Sequence, residues 1–388
     1  MQKNIQELDS LFRQLFDTGT EPLIVRSPGR VNIIGEHTDY NEGFVLPAAI
    51  DKAAYLAISL RNDDEIHLVA RDLNESFLTK VADLKPVGDV SWPNYILGVA
   101  AQFIKRGVKL KGFNAVLTSD VPIGSGLSSS AAVECATVFA LNELLQTQLD
   151  RITMVHMAQK AEHEYAGVMC GIMDQFASMM GKKNHVIRLD CRSLVYEYEP
   201  FDLGNIKVLL MNTNVKHSLA SSEYNTRRKE CETAVEWTRQ HVQGVTSLRN
   251  VTTAMLDQYV LPQDPVVDRR ARYVLQEIDR LLTGCEDLKK GDLKSLGNKM
   301  FATHDGLSKM YQVSCKELDW LVDQVRNNDA VIGARMMGGG FGGCTINLVR
   351  EKAIEPLLNT LKPAYENEMG LPLTGYVVTI ENGTEIVM

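Results

Sequence analysis

Close cysteine pairs, long apolar runs and blocks of like charge are all missing from this chain of 388 residues. Its seven cysteines (Cys135, Cys170, Cys191, Cys231, Cys285, Cys315 and Cys344) are scattered without a C-x-x-C pair or a regular spacing. That scatter excludes zinc ribbons and thioredoxin-like motifs and fits a reducing compartment, so the sequence reads as cytoplasmic. No apolar stretch approaches the ~18 residues of a membrane span. Forty-one basic and 49 acidic side chains leave a formal charge of -8 with neither sign gathered into a tail. Binding of nucleic acid or of an acidic membrane through bulk charge is thereby disfavoured. The opening residues, Met1 to Phe16, lack the cationic start and unbroken apolar core of a secretory signal. Instead Ile5, Leu8, Leu11, Phe12 and Leu15 recur at helical spacing with Glu7 and Asp9 among them, which predicts a surface helix.

What is present is globular: 45% hydrophobic and 23% charged residues. At the usual ~100 to 200 residues per domain, the length favours two domains sharing a cleft. Residues 21 to 35 read as a strand entering a tight turn, followed by strands over Phe44 to Ile50, Ala53 to Leu60, Ile66 to Ala70 and Phe113 to Thr118, so the first third is mostly strand. Helices are predicted over Ser128 to Leu145 and Ile152 to Tyr165. Buried strands at Val186 to Leu189 and Val208 to Met211 flank a crossing point at Asp202 to Gly204. Beyond it lie helices over Ser222 to His241, Pro265 to Leu282 and Lys316 to Arg326, then strand (Cys344 to Val349), helix (Ala353 to Glu368) and strand (Tyr376 to Ile380). Without repeats or low-complexity segments, the fold class is mixed α+β with two lobes.

Two glycine-rich segments stand out. Pro122-Ile-Gly-Ser-Gly-Leu-Ser-Ser-Ser-Ala-Ala132 follows a strand and opens a helix. Gly124 and Gly126 permit close backbone approach, and Ser128, Ser129 and Ser130 bring hydroxyls to a helix N-terminus whose free N–H groups favour an anion; a plain serine cap after a glycine turn is the alternative. A Walker A loop is rejected because no lysine follows Gly126. A Rossmann fingerprint is rejected because Ser129 stands where its third glycine belongs. The second segment, Gly338-Gly-Gly-Phe-Gly-Gly343, precedes an apolar strand and reads either as a backbone in close contact with a ligand or as a bulged hairpin.

Two polar clusters carry potential chemistry. Gly29-Arg-Val-Asn-Ile-Ile-Gly-Glu-His-Thr-Asp-Tyr40 gathers Arg30, Glu36, His37 and Asp39, a set suited to a polyhydroxylated ligand with a phosphate nearby, with metal binding as the rival. Cys170-Gly-Ile-Met-Asp-Gln175 sets Asp174 among small and apolar residues, as a helix cap or as a desolvated catalytic group. Glu162, beside Lys160, His163 and Glu164, reads first as part of a solvated helix face. His156 and His163 do not form an i, i+4 metal pair.

Read together, Gly29 to Tyr40, Pro122 to Ala132 and Gly333 to Cys344 resemble the signatures of the GHMP small-molecule kinases, and the first segment narrows the resemblance to the galactokinase family. The similarity extends through Gly171 to Gln175 and Ser222 to Arg228. It implies a two-lobed GHMP kinase fold: residues 1–200 form a lobe like domain 2 of ribosomal protein S5 and carry the sugar signature and ATP-phosphate loop. Residues 201–388 form a ferredoxin-like lobe carrying the glycine-rich third motif. The implied activity is ATP- and Mg²⁺-dependent phosphorylation of the anomeric hydroxyl of D-galactose, the first committed step of the Leloir galactose pathway. By position the resemblance makes Asp174 the base and Arg30 its partner at the γ-phosphate. Galactose contacts fall on Glu36, His37, Thr38, Asp39, Gly171 and Tyr224, the triphosphate on Gly124, Ser125, Gly126, Leu127, Ser128, Ser129 and Ser130, and Mg²⁺ on Ser130 and Glu162. D-Galactose and ATP are the implied partners, and a monomer is compatible with the sequence. The rivals are an N-acetylgalactosamine kinase and a galactokinase-like sensor with little catalysis; the complete Ser128-Ser-Ser-Ala-Ala132 favours the enzyme.

Overall fold

The structure, a computed structural model, describes residues 2–16, 19, 21–88, 92–122, 124–215 and 220–388. Met1, at the head of the expected N-terminal helix, and Ile123, inside the first glycine segment, lie outside the described residues. The strands are β1 (Leu23–Asn32), β2 (Phe44–Val45), β3 (Pro47–Leu60), β4 (Glu65–Ala70), β5 (Glu75–Lys80), β6 (Phe113–Ser119), β7 (His185–Asp190), β8 (Tyr196–Pro200), β9 (Ile206–Asn212), β10 (Val331–Met336), β11 (Cys344–Arg350), β12 (Thr374–Val378) and β13 (Glu385–Ile386). The helices are α1 (Gln2–Leu15), α2 (Pro93–Lys105), α3 (Ser129–Leu145), α4 (Arg151–Ala161), α5 (Met173–Met180), α6 (Ala220–Arg239), the single turn α7 (Thr253–Met255), α8 (Pro265–Lys289), α9 (Leu293–Asp305), α10 (Lys316–Val325) and α11 (Ile354–Met369).

A six-stranded sheet in the order β13-β1-β3-β6-β4-β5 forms the first lobe. It is antiparallel apart from β4 and β6. Its inner face and helices α2 to α5 share one core, built around Leu56, Ile58, Phe103, Phe113, Val138 and Phe176. Leu8 and Phe12 of α1 cover Ile24, Tyr55 and Val116 on the opposite face. The second lobe carries an antiparallel sheet in the order β10-β11-β9-β12, whose outer face packs against α10 and α11 through Leu321, Val325, Leu357 and Tyr365. A joint core containing Val31, Leu46, Leu210, Leu281, Met300 and Ile346 runs between the lobes.

Several elements differ from the sequence reading, each for a physical reason. Strands expected at 44–50 and 53–60 are instead a two-residue β2 and the single long β3, which runs through Asp51 and Lys52. Those charges are no break, because Asp51 is tied to Thr379 of the second lobe through Asp51 N→Thr379 O at 3.0 Å. Helix α2 interrupts the strand-rich first third. Residues Pro93 to Phe103 are buried apart from Tyr95, and a short, mostly apolar run of this kind is hard to assign to helix or strand from its period. The helix expected to reach Tyr165 ends at Ala161 and widens into a π-turn over Glu162–Ala166. The division at 200/201 falls between β8 and β9, yet the last residues return to the first sheet: Val25 faces Ile386, and Val387 N donates to Ile24 O at 2.9 Å.

Candidate active site

A cleft of about 460 Å³ between the lobes brings the strand turn after β1, the start of α3, the start of α5 and the β10–β11 loop together. Gly29 makes this possible: a Cβ there would lie 2.7 Å from the Leu127 carbonyl oxygen, so only glycine lets the phosphate-loop candidate close on β1. The register of β1 against β3 shifts between Pro28 and Arg30, and Arg30 N donates to Leu127 O at 3.1 Å. The Arg30 side chain thereby enters the cleft.

Arg30 holds Asp174 in a two-bond fork, Nε to Oδ1 at 2.9 Å and Nη2 to Oδ2 at 2.8 Å, while Nη1 donates to Gly126 O at 2.6 Å. Asp174 lies in the first turn of α5 but makes no capping bond, so the helix-cap alternative is set aside. Its Oδ2 also accepts from Ser128 Oγ. Ser128 itself takes a left-handed φ of 60° and caps nothing, which leaves the leading N–H groups of α3 open to an anion in the cleft.

The sugar-signature residues divide. Glu36, His37, Asp39, Gly171 and Tyr224 all line the cleft. Asp39 is pushed up to about 6, first by burial and then by the charge of Asp174. A Cβ at Gly171 would fall on the Asp39 carboxylate, which accounts for glycine there. His37, at φ 62°, is driven down to about 4 by burial and stays neutral at pH 7. Its Nδ1 pairs with Tyr40 OH at 2.8 Å, Tyr40 OH with Tyr311 OH at 2.7 Å, and Tyr311 OH with Cys231 Sγ at 3.2 Å. Among the described residues, His37 Nε2 is buried without a well-formed hydrogen bond. Thr38 is a correction. Its hydroxyl donates to Gly35 O and Phe44 O, and the side chain shapes the turn from inside rather than facing the cleft.

In the glycine-serine loop, Gly124, Gly126, Leu127, Ser128, Ser129 and Ser130 line the cleft. Ser125 does not: it is fully buried, with its hydroxyl turned back to Pro122 O at 2.6 Å. Ser130 Oγ donates to Glu162 Oε1 at 2.9 Å. The solvated-face reading of Glu162 is overturned, because the residue is 7% exposed, and Gln175 Nε2 and Cys170 Sγ donate to its Oε2 at 2.6 and 3.2 Å. Burial and the charge of Asp174 raise it above the usual carboxylate range. Gln175 Nε2 also reaches Oε2 of the fully buried Glu134 at 3.0 Å. His163 faces away, with Nε2 2.8 Å from Cys170 O.

Gln175, Glu134, Tyr40, Tyr311 and Arg335 were not singled out by the sequence reading. Gln175 adjoins Asp174 in a flagged segment, and Arg335 sits in Gly333 to Cys344, yet one polar residue inside an apolar strand gives no pattern to detect.

Comparison with known proteins adds independent findings. Residues 10–60 match the galactokinase galactose-binding signature, residues 94–182 the GHMP kinases N terminal domain and residues 286–367 the GHMP kinases C terminal. The chain is 42% identical to a galactokinase of Thermotoga neapolitana over 362 residues, 93% of this chain and 99% of that one. It is 39% identical to a galactokinase of Clostridium acetobutylicum over 387 residues, 98% of each. The crystal structure of Lactococcus lactis galactokinase complexed with galactose matches with a TM-score of 0.94 at 33% identity, covering 98% of this chain and 99% of that one.

Proposed function

This chain belongs to the galactokinases, within the GHMP kinases, and we propose that Asp174 and Arg30 carry its chemistry. It is an enzyme that transfers the γ-phosphoryl group of ATP to the anomeric hydroxyl of D-galactose, giving galactose 1-phosphate and ADP. The fold is the two-lobed GHMP kinase fold, with an S5-like first lobe and a ferredoxin-like second lobe. We take residues 1–200 and 201–388 as those lobes, with the final strand returning to the first.

The observation that carries the residue assignment is the fork between Arg30 and Asp174, one side chain from the sugar signature and one from α5, with Arg30 also touching the phosphate loop at Gly126. Asp174 accepts the proton of the anomeric hydroxyl as its oxygen bonds to the γ-phosphorus, and the bond from that phosphorus to the β–γ bridging oxygen breaks, leaving ADP. Arg30 and the open N–H groups of α3 stabilise charge on the γ-oxygens, where positive potential lowers the barrier most. Glu36, Asp39, His37 and Tyr224 hold the sugar, with Gly171 making room for Asp39; Gly124, Gly126 and Leu127 to Ser130 wrap the phosphates.

Among the described residues, no group of three or more His, Cys, Asp or Glu side chains is arranged to hold a metal ion. The hard-oxygen pair Ser130 Oγ and Glu162 Oε1, 2.9 Å apart at the cleft wall, nevertheless fits Mg²⁺, which usually takes one or two protein oxygens and completes its shell with phosphate and water. When bound, Mg²⁺ supplies charge neutralisation on the phosphate oxygens. We place the protein in the cytoplasm: all seven cysteines are free, and no described helix is long and apolar enough to cross a membrane.

Phosphorus NMR of the product tests this reading. A new phosphate resonance coupled to the anomeric proton of galactose is expected. Coupling to the protons of the sixth carbon would overturn it.

A further inference from the structure

Arg335 lies on β10 in the second lobe and is fully buried, yet every one of its partners belongs to the sugar-signature turn or to its own strand end. A guanidinium has five N–H donors in a fixed fork. Here all five are used: Nε donates to Ile33 O at 2.9 Å, Nη1 to Met336 O at 2.6 Å and Glu36 Oε1 at 3.1 Å, and Nη2 to Asn32 O and to Glu36 Oε1 at 3.1 Å. Gly338 N adds a third donor to the same Oε1 at 2.9 Å. One oxygen of the Glu36 carboxylate is therefore saturated from the second lobe. Among the described residues its other oxygen has no hydrogen-bond partner, and Glu36 lines the cleft.

We propose that Arg335 is a positioning and specificity-determining residue, which clamps one oxygen of Glu36 so that the other is presented to a single sugar hydroxyl. The clamp also keeps Glu36 ionised: burial pushes its carboxyl up, but the charges of Arg335 and Arg30 and the Gly338 N–H hold it below the ordinary value. An ionised acceptor with one open oxygen discriminates strongly, because a sugar lacking the matching hydroxyl leaves that oxygen of a buried carboxylate without a hydrogen-bond donor. Lysine cannot replace the fork. Its three donors would have to serve three carbonyls and a carboxylate, and a point charge does not fix the rotation of Glu36 about its last bond.

The inference rests on the galactose-kinase reading. Its test compares wild type with Arg335→Lys and Glu36→Gln on D-galactose and on galactoses deoxygenated singly at the second, third, fourth or sixth carbon. For wild type, removing the hydroxyl that meets Glu36 should lower kcat/KM by about 10²-fold. Both variants should relieve the loss at that same position to less than about tenfold while leaving the losses at the other carbons in place, with the KM for ATP within about twofold of wild type. A uniform loss across all the sugars, or relief at different positions in the two variants, would overturn the proposal and make Arg335 a strut joining the lobes. If Arg335→Lys shows no cooperative melt, Arg335→Gln takes its place; failure of both to fold decides for the strut. Wild type turning over none of the galactoses would instead fail the kinase reading itself.

Discussion

Asp174 and Gln175 are adjacent on α5 and serve opposite sides of the phosphate loop. Asp174 faces Arg30 and Ser128 in the cleft, whereas Gln175 is fully buried and donates to both Glu134 and Glu162. One turn of helix thus positions the proposed base and, through Glu162 and Ser130, the candidate metal oxygens. Strain or slippage at the start of α5 reaches both.

Asp174→Asn should lower kcat by about 10² or more, because the amide cannot take the proton, while galactose still binds. Single-turnover rates and titration calorimetry check the two halves separately. Arg30→Lys should be severely impaired as well, since an ammonium cannot span Asp174 and the Gly126 carbonyl as a planar fork does. Asp174→Asn keeping more than a tenth of wild-type turnover removes the residue from the proton transfer.

Gln175→Leu should destabilise the first lobe by about 1–3 kcal/mol, since it strips a shared donor from two buried carboxyl groups. Urea denaturation measures that loss. The Mg²⁺ concentration for half-maximal rate should rise in this variant and in Glu162→Gln, at fixed ATP and saturating galactose. An unmoved Mg²⁺ curve in Glu162→Gln would take that carboxylate out of the metal's reach.

The pH profile should report Asp39. Its carboxyl stands near 6 in the folded protein against an ordinary 3.8. The folded state therefore binds the proton more tightly than the unfolded chain, and the stability this gives is present below about pH 4 and lost as pH rises through about 6. In the proposed site the ionised Asp39 accepts from sugar hydroxyls, so kcat/KM for galactose should fall as pH drops below about 6. Asp39→Asn should lose that limb and melt higher than wild type at pH 7.5, with galactose affinity reduced. His37 acts with the opposite sign: held near 4 against 6.5, it contributes stability above 6.5 that disappears as pH falls toward 4. An acid limb that persists in Asp39→Asn would assign the titration elsewhere.

Much of the site was legible because its residues come in short runs with unusual composition. Arg30, Glu36, His37 and Asp39 share one turn, and the serines after Gly126 share one helix start. Thr38 and Ser125 were misread for that same reason, as members of the right segment whose side chains turn inward to Gly35, Phe44 and Pro122. Arg335, Tyr311 and Glu134 were missed because their partners lie far along the chain: 299 positions separate Arg335 from Glu36, and only the pairing of the lobes brings them together. In the fold, the buried strands β4, β6, β7, β9 and β11 were read well, whereas β5 and β8, largely exposed and poor in apolar residues, were not. The buried helix α2 was not, because a short, mostly apolar run separates helix from strand poorly.

The most direct test of the account is a coupled ADP-release assay of the purified protein with ATP and Mg²⁺ across galactose, glucose, N-acetylgalactosamine, mevalonate and homoserine. A cleft whose buried carboxylates are placed for galactose should turn over galactose alone at a substantial rate, with glucose lower in kcat/KM by several orders of magnitude because its equatorial fourth hydroxyl leaves an acceptor unpaired. Comparable rates on glucose and galactose, or a preference for any of the other three, would contradict it.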